Sequence, residues 1–240
     1  MEQFIFDPKN RLTDPDGNDL ITLTGEEHFH LSRVLRGKVG EKILATDGKG
    51  TTCLCLIKRV EKDKSICGVS EEYHGLNLSR RNFCIGIASL KPISKLEIAI
   101  EKCTELGAAG FVVFCAERSE RMNLRTERMA GIIKSAVKQS LQSTVPGLEI
   151  LKNLEDIASA SRNYEIKIVL HEKSTNMVSK YLASFKENTS AIALIGPEGG
   201  FSEKEIEFLT TRGFYDVSVG NPRLRSETAA MKISALLAEY

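Results

Sequence analysis

Residues 191–209 read AIALIGPEGGFSEKEIEFL. Five apolar residues lead into a turn of Gly196, Pro197, Glu198, Gly199 and Gly200, and Ser202 then stands three residues before Glu205. A short apolar run of this kind reads as a strand buried on both faces. Ser-x-x-Glu is a capping box that opens a helix. Strand, tight turn and helix make one unit of an α/β domain, and the turn lies where such domains bind ligands, beyond the carboxyl end of a strand. The glycines let backbone approach a ligand with no Cβ in the way. Phosphate is the usual guest of a glycine turn at a helix start. Here the helix start is occupied by its own side chains, no lysine follows the glycines, and Glu198 adds a negative charge. Neither G-x-x-x-x-G-K-[ST] nor G-x-G-x-x-G occurs in the chain. The loop suits a neutral or cationic ligand, such as an adenine, a ribose or a sulfonium. Glu198 would otherwise face water or pair with a local arginine.

The same grammar extends on both sides. FCIGIASL from Phe83, FVVFC from Phe111, IKIVL from Ile166 and YDVSVG ending at Gly220 read as further strands. Between them lie helical stretches near 126–142 and 176–186, and a terminal helix from Ser226. Another opens with a Ser94–Glu97 capping box, carries Leu96, Ile100, Cys103 and Leu106 on one side, and stops at Gly107. Alternating strands and helices predict a mostly parallel sheet. The first seventy or so residues differ: DLITL, EKILATD, TTCLCLIKRV and SICGVS are short strands broken by turns such as DPDGN and DGKG, with one helical segment at 25–35. That pattern suits a small barrel or curled sheet. The polar stretch EEYHGLNLSRRN, 71–82, is the candidate linker, which places two domains at 1–72 and 73–240.

Two more strand ends are unusual in composition. Leu170, His171 and Glu172 follow IKIVL, and GNPRLRSET, 220–228, follows the last strand. Each alone is a turn feeding a helix; together with the glycine loop they are expected to converge on one pocket. Arg223 and Arg225 offer planar forks for phosphate or a carbonyl-bearing base, or else form a solvated surface pair. Glu227, near a helix start, gains from the dipole there.

Composition narrows the remaining choices. The 240 residues are 42% hydrophobic and 27% charged with a net charge of +1, so any basic surface must be local. MEQFIFDPKN lacks the n- and h-regions of a secretory signal, and no apolar run nears the about 20 residues of a membrane helix. A cytoplasmic protein with no membrane partner is expected. The six cysteines contain no C-x-x-C, and Cys53 and Cys55 alternate on one strand face, which reads as buried thiols with no metal.

IGPEGGFSEKE and VGNPRLRSETAA resemble the two signature stretches of the bacterial 16S ribosomal RNA (uracil-N3)-methyltransferases of the SPOUT superfamily. LEIAIEKCTELGAAGFVVFCAERSE, from Leu96, is similar to that family's helix–strand unit with K-x-T-E-L-G and E-R-S. HFHLSRVLRGKVGEKI and DGKG are similar to its PUA-like RNA-binding domain, so the resemblance covers almost the whole chain. It implies a PUA-like β-barrel over 1–72 and a SPOUT α/β domain over 73–240 with a C-terminal trefoil knot. It also implies a homodimer that binds S-adenosylmethionine in the knot and methylates N3 of a uridine in 16S rRNA of the 30S subunit. By motif, Leu170, His171, Ile195, Gly196, Pro197, Gly199, Gly200, Val219, Gly220 and Leu224 would hold the cofactor. Uracil N3 must lose a proton, so Arg225 is the candidate to stabilise the developing oxyanion, and Glu198 or Glu227 the candidate base. Arg33, Arg36, Lys38, Arg118, Arg121 and Arg223 are candidates to grip RNA. Neither a metal nor a covalent intermediate is required. Two alternatives remain: a SPOUT enzyme methylating a ribose 2′-hydroxyl, and a non-catalytic RNA-binding or ribosome-assembly factor. The chain departs from the family at Pro222 and Arg223, where Arg and Ile are usual. It also departs at Lys138–Gln142, where E-Q-x-x-R is usual.

Overall fold

The computed structural model describes residues 1–120, 124–183, 186 and 189–239. The chain forms two compact units, Met1–Leu78 with Val137–Val145, and Ser79–Ala136 with Pro146–Tyr240.

In the first unit, strands β1 (Gln3–Ile5), β2 (Arg11–Thr13), β3 (Asp19–Thr24), β4 (Lys42–Thr46), β5 (Thr51–Val60) and β6 (Lys64–His74) make one sheet in the order β1-β4-β5-β6-β3-β2. Every pairing is antiparallel except β1 with β4. The expected helix is there, as α1 (Gly25–Phe29) continued by a π-helical turn at His30–Val34. Phe4, Ile21, Leu23, Leu31 and Ile57 fill the core beside Cys53, Cys55 and Cys67. Burial pushes these thiols up, Cys53 to about 11 and Cys67 to about 12, so they stay protonated and act as small apolar groups. The expected linker begins later than residue 71. Glu71 and Glu72 pair with Leu54 and Cys53, and Tyr73 and His74 with Thr52 and Thr51, because the ten-residue β5 offers partners along that length. Residues 137–145 belong to this unit. Gln142 O accepts from Gln3 Nε2 at 2.7 Å, Ser143 O from the Gly50 amide at 3.0 Å, and Lys138 pairs with Glu27 at 2.8 Å. The departure at Lys138–Gln142 is thus occupied with holding this unit.

The second unit runs β7 (Phe83–Ala88), α2 (Ile93–Glu105), β8 (Gly110–Phe114), α3 (Thr126–Ser140, its last residues in the first unit), β9 (Gly147–Ile150), α4 (Leu154–Ala160), β10 (Ile166–Leu170), α5 (Val178–Leu182), β11 (Ala191–Ile195), α6 (Glu203–Thr210), β12 (Tyr215–Val217) and α7 (Ser226–Glu239). Its sheet is parallel throughout, in the order β12-β10-β11-β7-β8-β9. The central strands β7 and β11 are buried at every position, as their unbroken apolar runs require. Helix α7 packs on α2, β7 and β11.

Some local readings are corrected. The Ser94–Glu97 capping box does not form: α2 starts at Ile93 behind Pro92, which puts Ser94 inside the helix and frees Glu97 to pair with Arg128. Gly107, at φ +89°, ends that helix as expected. Strand β9 and helix α4 were not anticipated. GLEI is mostly exposed at the sheet edge and offers no apolar run to read. No helix among the described residues is long and apolar enough to cross a membrane.

Candidate active site

The three strand-end loops do converge. They line a cavity of about 990 Å³ at the carboxyl ends of β10, β11 and β12. Leu170 and His171 come from the first loop, Ile195 through Gly200 from the second, and Val219, Gly220 and Leu224 from the third; all line the cavity. Backbone hydrogen bonds hold the first and third loops side by side. The His171 amide donates to Val217 O at 2.9 Å, the Ser218 amide to Asn176 O at 2.8 Å, and the Val178 amide to Ser218 O at 3.1 Å.

The glycine loop is shaped by steric necessity. A Cβ on Gly196 would lie 3.1 Å from the Phe201 amide nitrogen, and Gly200 turns at φ +66° while its amide donates to Pro197 O at 2.8 Å. Phe201 stacks on Phe114 beneath the loop, with ring centroids 6.3 Å apart. The Ser202–Glu205 capping box is complete. Ser202 Oγ accepts from the Glu205 amide at 3.3 Å, and Glu205 Oε2 accepts from the Ser202 amide at 2.8 Å. Glu205 Oε1 accepts in addition from the Glu117 amide at 2.7 Å. The helix start therefore has a buried carboxylate of its own and is a poor anion site.

Charge in the cavity is largely paired. Glu198 Oε1 accepts from Lys95 Nζ at 2.9 Å and from the Lys91 amide at 3.2 Å. Partial burial pushes this carboxyl up, but the hydrogen bonds from Lys95, its own amide and Lys91 outweigh that and hold it below the usual carboxylate range. A carboxylate so held is a weak proton acceptor. Its ion-pair partner is a lysine of α2 rather than an arginine, and the side chain remains exposed. Arg223 pairs with Glu172 at 2.8 Å. Arg118 lies in the cavity wall with its guanidinium on Gly199 O. Arg225 is exposed on the lining and, among the described residues, pairs with no carboxylate. Glu227 is in the first turn of α7 but not on the lining, and its Oε2 is buried without a hydrogen-bond partner among the described residues. Arg33, Arg36 and Lys38 are exposed in the first unit, interleaved with exposed Val34, Leu35 and Val39 and following exposed Phe29. Arg121 lies outside the described residues.

Lys95 and Glu117 line the cavity and were not foreseen as site residues. Glu117 carried a signal, the E-R-S that follows β8. Lys95 carried none, because its meaning comes from Glu198, 103 positions away.

A parallel α/β sheet whose carboxyl-end loops line a cavity, carried on one chain with a small β domain, has the ligand-binding arrangement of the α/β class. Residues 77–238 match the model of the RNA methyltransferase domain, and residues 23–70 that of the RNA methyltransferase PUA domain. The chain belongs to this RNA methyltransferase family. It is 31% identical to Ribosomal RNA small subunit methyltransferase E of Bacillus subtilis over 225 residues, covering 88% of this chain and 86% of the relative. Among solved structures it resembles a probable rRNA-methyltransferase from Porphyromonas gingivalis, with TM-score 0.80, 26% identity and coverage of 98% and 95%. It shares its fold with a Ribosomal RNA small subunit methyltransferase E from Neisseria gonorrhoeae bound to S-adenosyl methionine, with TM-score 0.86, 24% identity and coverage of 98% and 95%.

Proposed function

We propose that this protein methylates N3 of a uridine in 16S ribosomal RNA of the small subunit, using S-adenosylmethionine. The observation that carries the proposal is the cavity itself: three strand-end loops, walled by glycine backbone, with a self-capped helix start that disfavours phosphate and a loop carboxylate matched by Lys95. The similarity to small-subunit methyltransferases E supports the RNA substrate, and the cofactor of the Neisseria gonorrhoeae protein supports the ligand. Bound there, S-adenosylmethionine would supply an electrophilic methyl group on a sulfonium. Leu170, His171, Ile195 to Gly200, Val219, Gly220 and Leu224 would hold it, mostly through backbone.

The chain's own residues then have two tasks. The first is to hold uracil with N3 in line for attack, which requires the base to leave its stack. The second is to favour the N3 anion. Arg225, on the cavity lining and without a carboxylate partner among the described residues, stabilises the uracil oxyanion. Of the two carboxylates considered as base, Glu198 is held ionised by Lys95 and Glu227 is off the lining, so the proton passes to solvent and neither carboxylate carries it. Arg33, Arg36 and Lys38 grip phosphates, with exposed Phe29 beside them as a stacking surface, and Arg223 adds a contact at the cavity rim. In this reading the first unit is the PUA-like RNA-binding barrel. The second is a knotted SPOUT domain acting as a homodimer in the cytoplasm.

Calorimetry with S-adenosylmethionine, followed by methyl transfer to purified 30S subunits and nucleoside analysis, tests the proposal. The expected product is 3-methyluridine. No cofactor binding would remove every enzymatic reading and leave an RNA-binding factor, whereas a ribose-methylated product would redirect the activity to a 2′-hydroxyl.

A further inference from the structure

We propose that Arg118 is a positioning residue of the cofactor loop, fixing the Gly199 peptide from the segment after β8 while Lys95 fixes Glu198 from α2. The proposal rests on the reading that the cavity holds S-adenosylmethionine. Arg118 Nη1 donates to Gly199 O at 2.7 Å. Its aliphatic stem lies against the same glycine, since a Cβ on Gly199 would fall 3.3 Å from Arg118 Cδ and 3.5 Å from its Cβ.

The neighbours of Arg118 point the same way. Ser119 Oγ accepts from the Ala116 amide at 3.1 Å and tightens the turn that presents Glu117 and Arg118. Glu117 Oε2 accepts from Ser202 Oγ at 2.7 Å, and its amide donates to Glu205 Oε1 at 2.7 Å. The polar handles of the loop are therefore tied one after another: the Glu198 carboxylate to Lys95 and the Lys91 amide, the Gly199 carbonyl to Arg118, the Gly200 amide to Pro197, and Ser202 to Glu117 and Glu205. A pocket walled by backbone recognises its ligand with peptide groups, and their directions are set by whatever holds the peptide planes. A guanidinium held on the Gly199 carbonyl orients the wall.

Arg118 is exposed, so its replacement leaves the core intact. Three measurements on Arg118→Ala and Arg118→Lys decide the matter. Hydrogen exchange of the ligand-free protein is expected to quicken several-fold across residues 196–202 in Arg118→Ala. Calorimetry is expected to show the cofactor Kd raised about ten-fold, with partial rescue in Arg118→Lys, which keeps the charge and loses the fork. The salt dependence of RNA binding is expected to stay unchanged. Gly199→Ala, whose new methyl meets the Arg118 stem, is expected to weaken cofactor binding in the parent and to add little in Arg118→Ala. Unchanged exchange and Kd, with a salt slope lowered by about one, would overturn the proposal and put Arg118 on an RNA phosphate. Additive effects of the two substitutions would also overturn it. If the parent protein binds no S-adenosylmethionine, the functional reading fails, and the exchange measurement still decides whether Arg118 holds the loop.

Discussion

Arg225 and Glu198 illustrate how differently two charged residues in one cavity are set. Arg225 has no carboxylate partner among the described residues, so its guanidinium is free to meet charge that develops on a substrate. Arg225→Ala is expected to lower kcat on 30S subunits by about a hundred-fold while the cofactor Kd stays constant, measured by single-turnover kinetics and calorimetry. Glu198 is committed to Lys95 and the Lys91 amide. Glu198→Gln is therefore expected to retain most of its turnover, where loss of a general base would abolish it. Its effect on stability has a definite sign. The folded-state carboxyl lies below its ordinary value, so the stabilisation is present above the unfolded value and is lost as pH falls through the folded one. The parent is expected to melt above Glu198→Gln at neutral pH, with the difference shrinking as the solution is acidified, by thermal denaturation. Glu198 could be singled out from sequence by its place in the loop, but not its role, since nothing local announces Lys95.

Among the elements, the β11–α6 unit was legible because each of its signals is local. An apolar run, a glycine turn and Ser-x-x-Glu are all decided within a few residues. Ser202→Ala removes the cap and the hydroxyl that reaches Glu117 together. It is expected to cost about 1 kcal/mol in chemical denaturation, more than a surface serine would. The same signature misled at Ser94 and Glu97, where Pro92 starts the helix early and a long-range arginine claims the glutamate. Strand β9 was invisible for a related reason: an exposed edge strand is held by its backbone partner β8, and partners are not written in a four-residue window.

On the scale of the whole molecule, the change from short strands with turns to strands alternating with helices located two units. The assignment of residues 137–145 to the first was out of reach, because hydrogen bonds to Gln3 and Gly50 made it. The exposed basic residues of that unit carry their own prediction. Removing Arg33, Arg36 or Lys38 singly is expected to lower the slope of RNA affinity against salt by about one each, measured by filter binding over a salt series, with the cofactor Kd unchanged. The parallel sheet has a further consequence, for the timing of synthesis. Its central strand β7 is apolar on both faces and pairs through Phe83 with Ala191 of β11, which the ribosome supplies only after β8, β9, β10 and the helices between them. Until then β7 lacks one neighbour, and the cavity, built from residues near 170, 196 and 220, does not exist. A nascent chain of this kind folds late and slowly and exposes a sticky strand while it waits. The cavity can close only once the residues near 220 have left the ribosome, so it is among the last features of this unit to form.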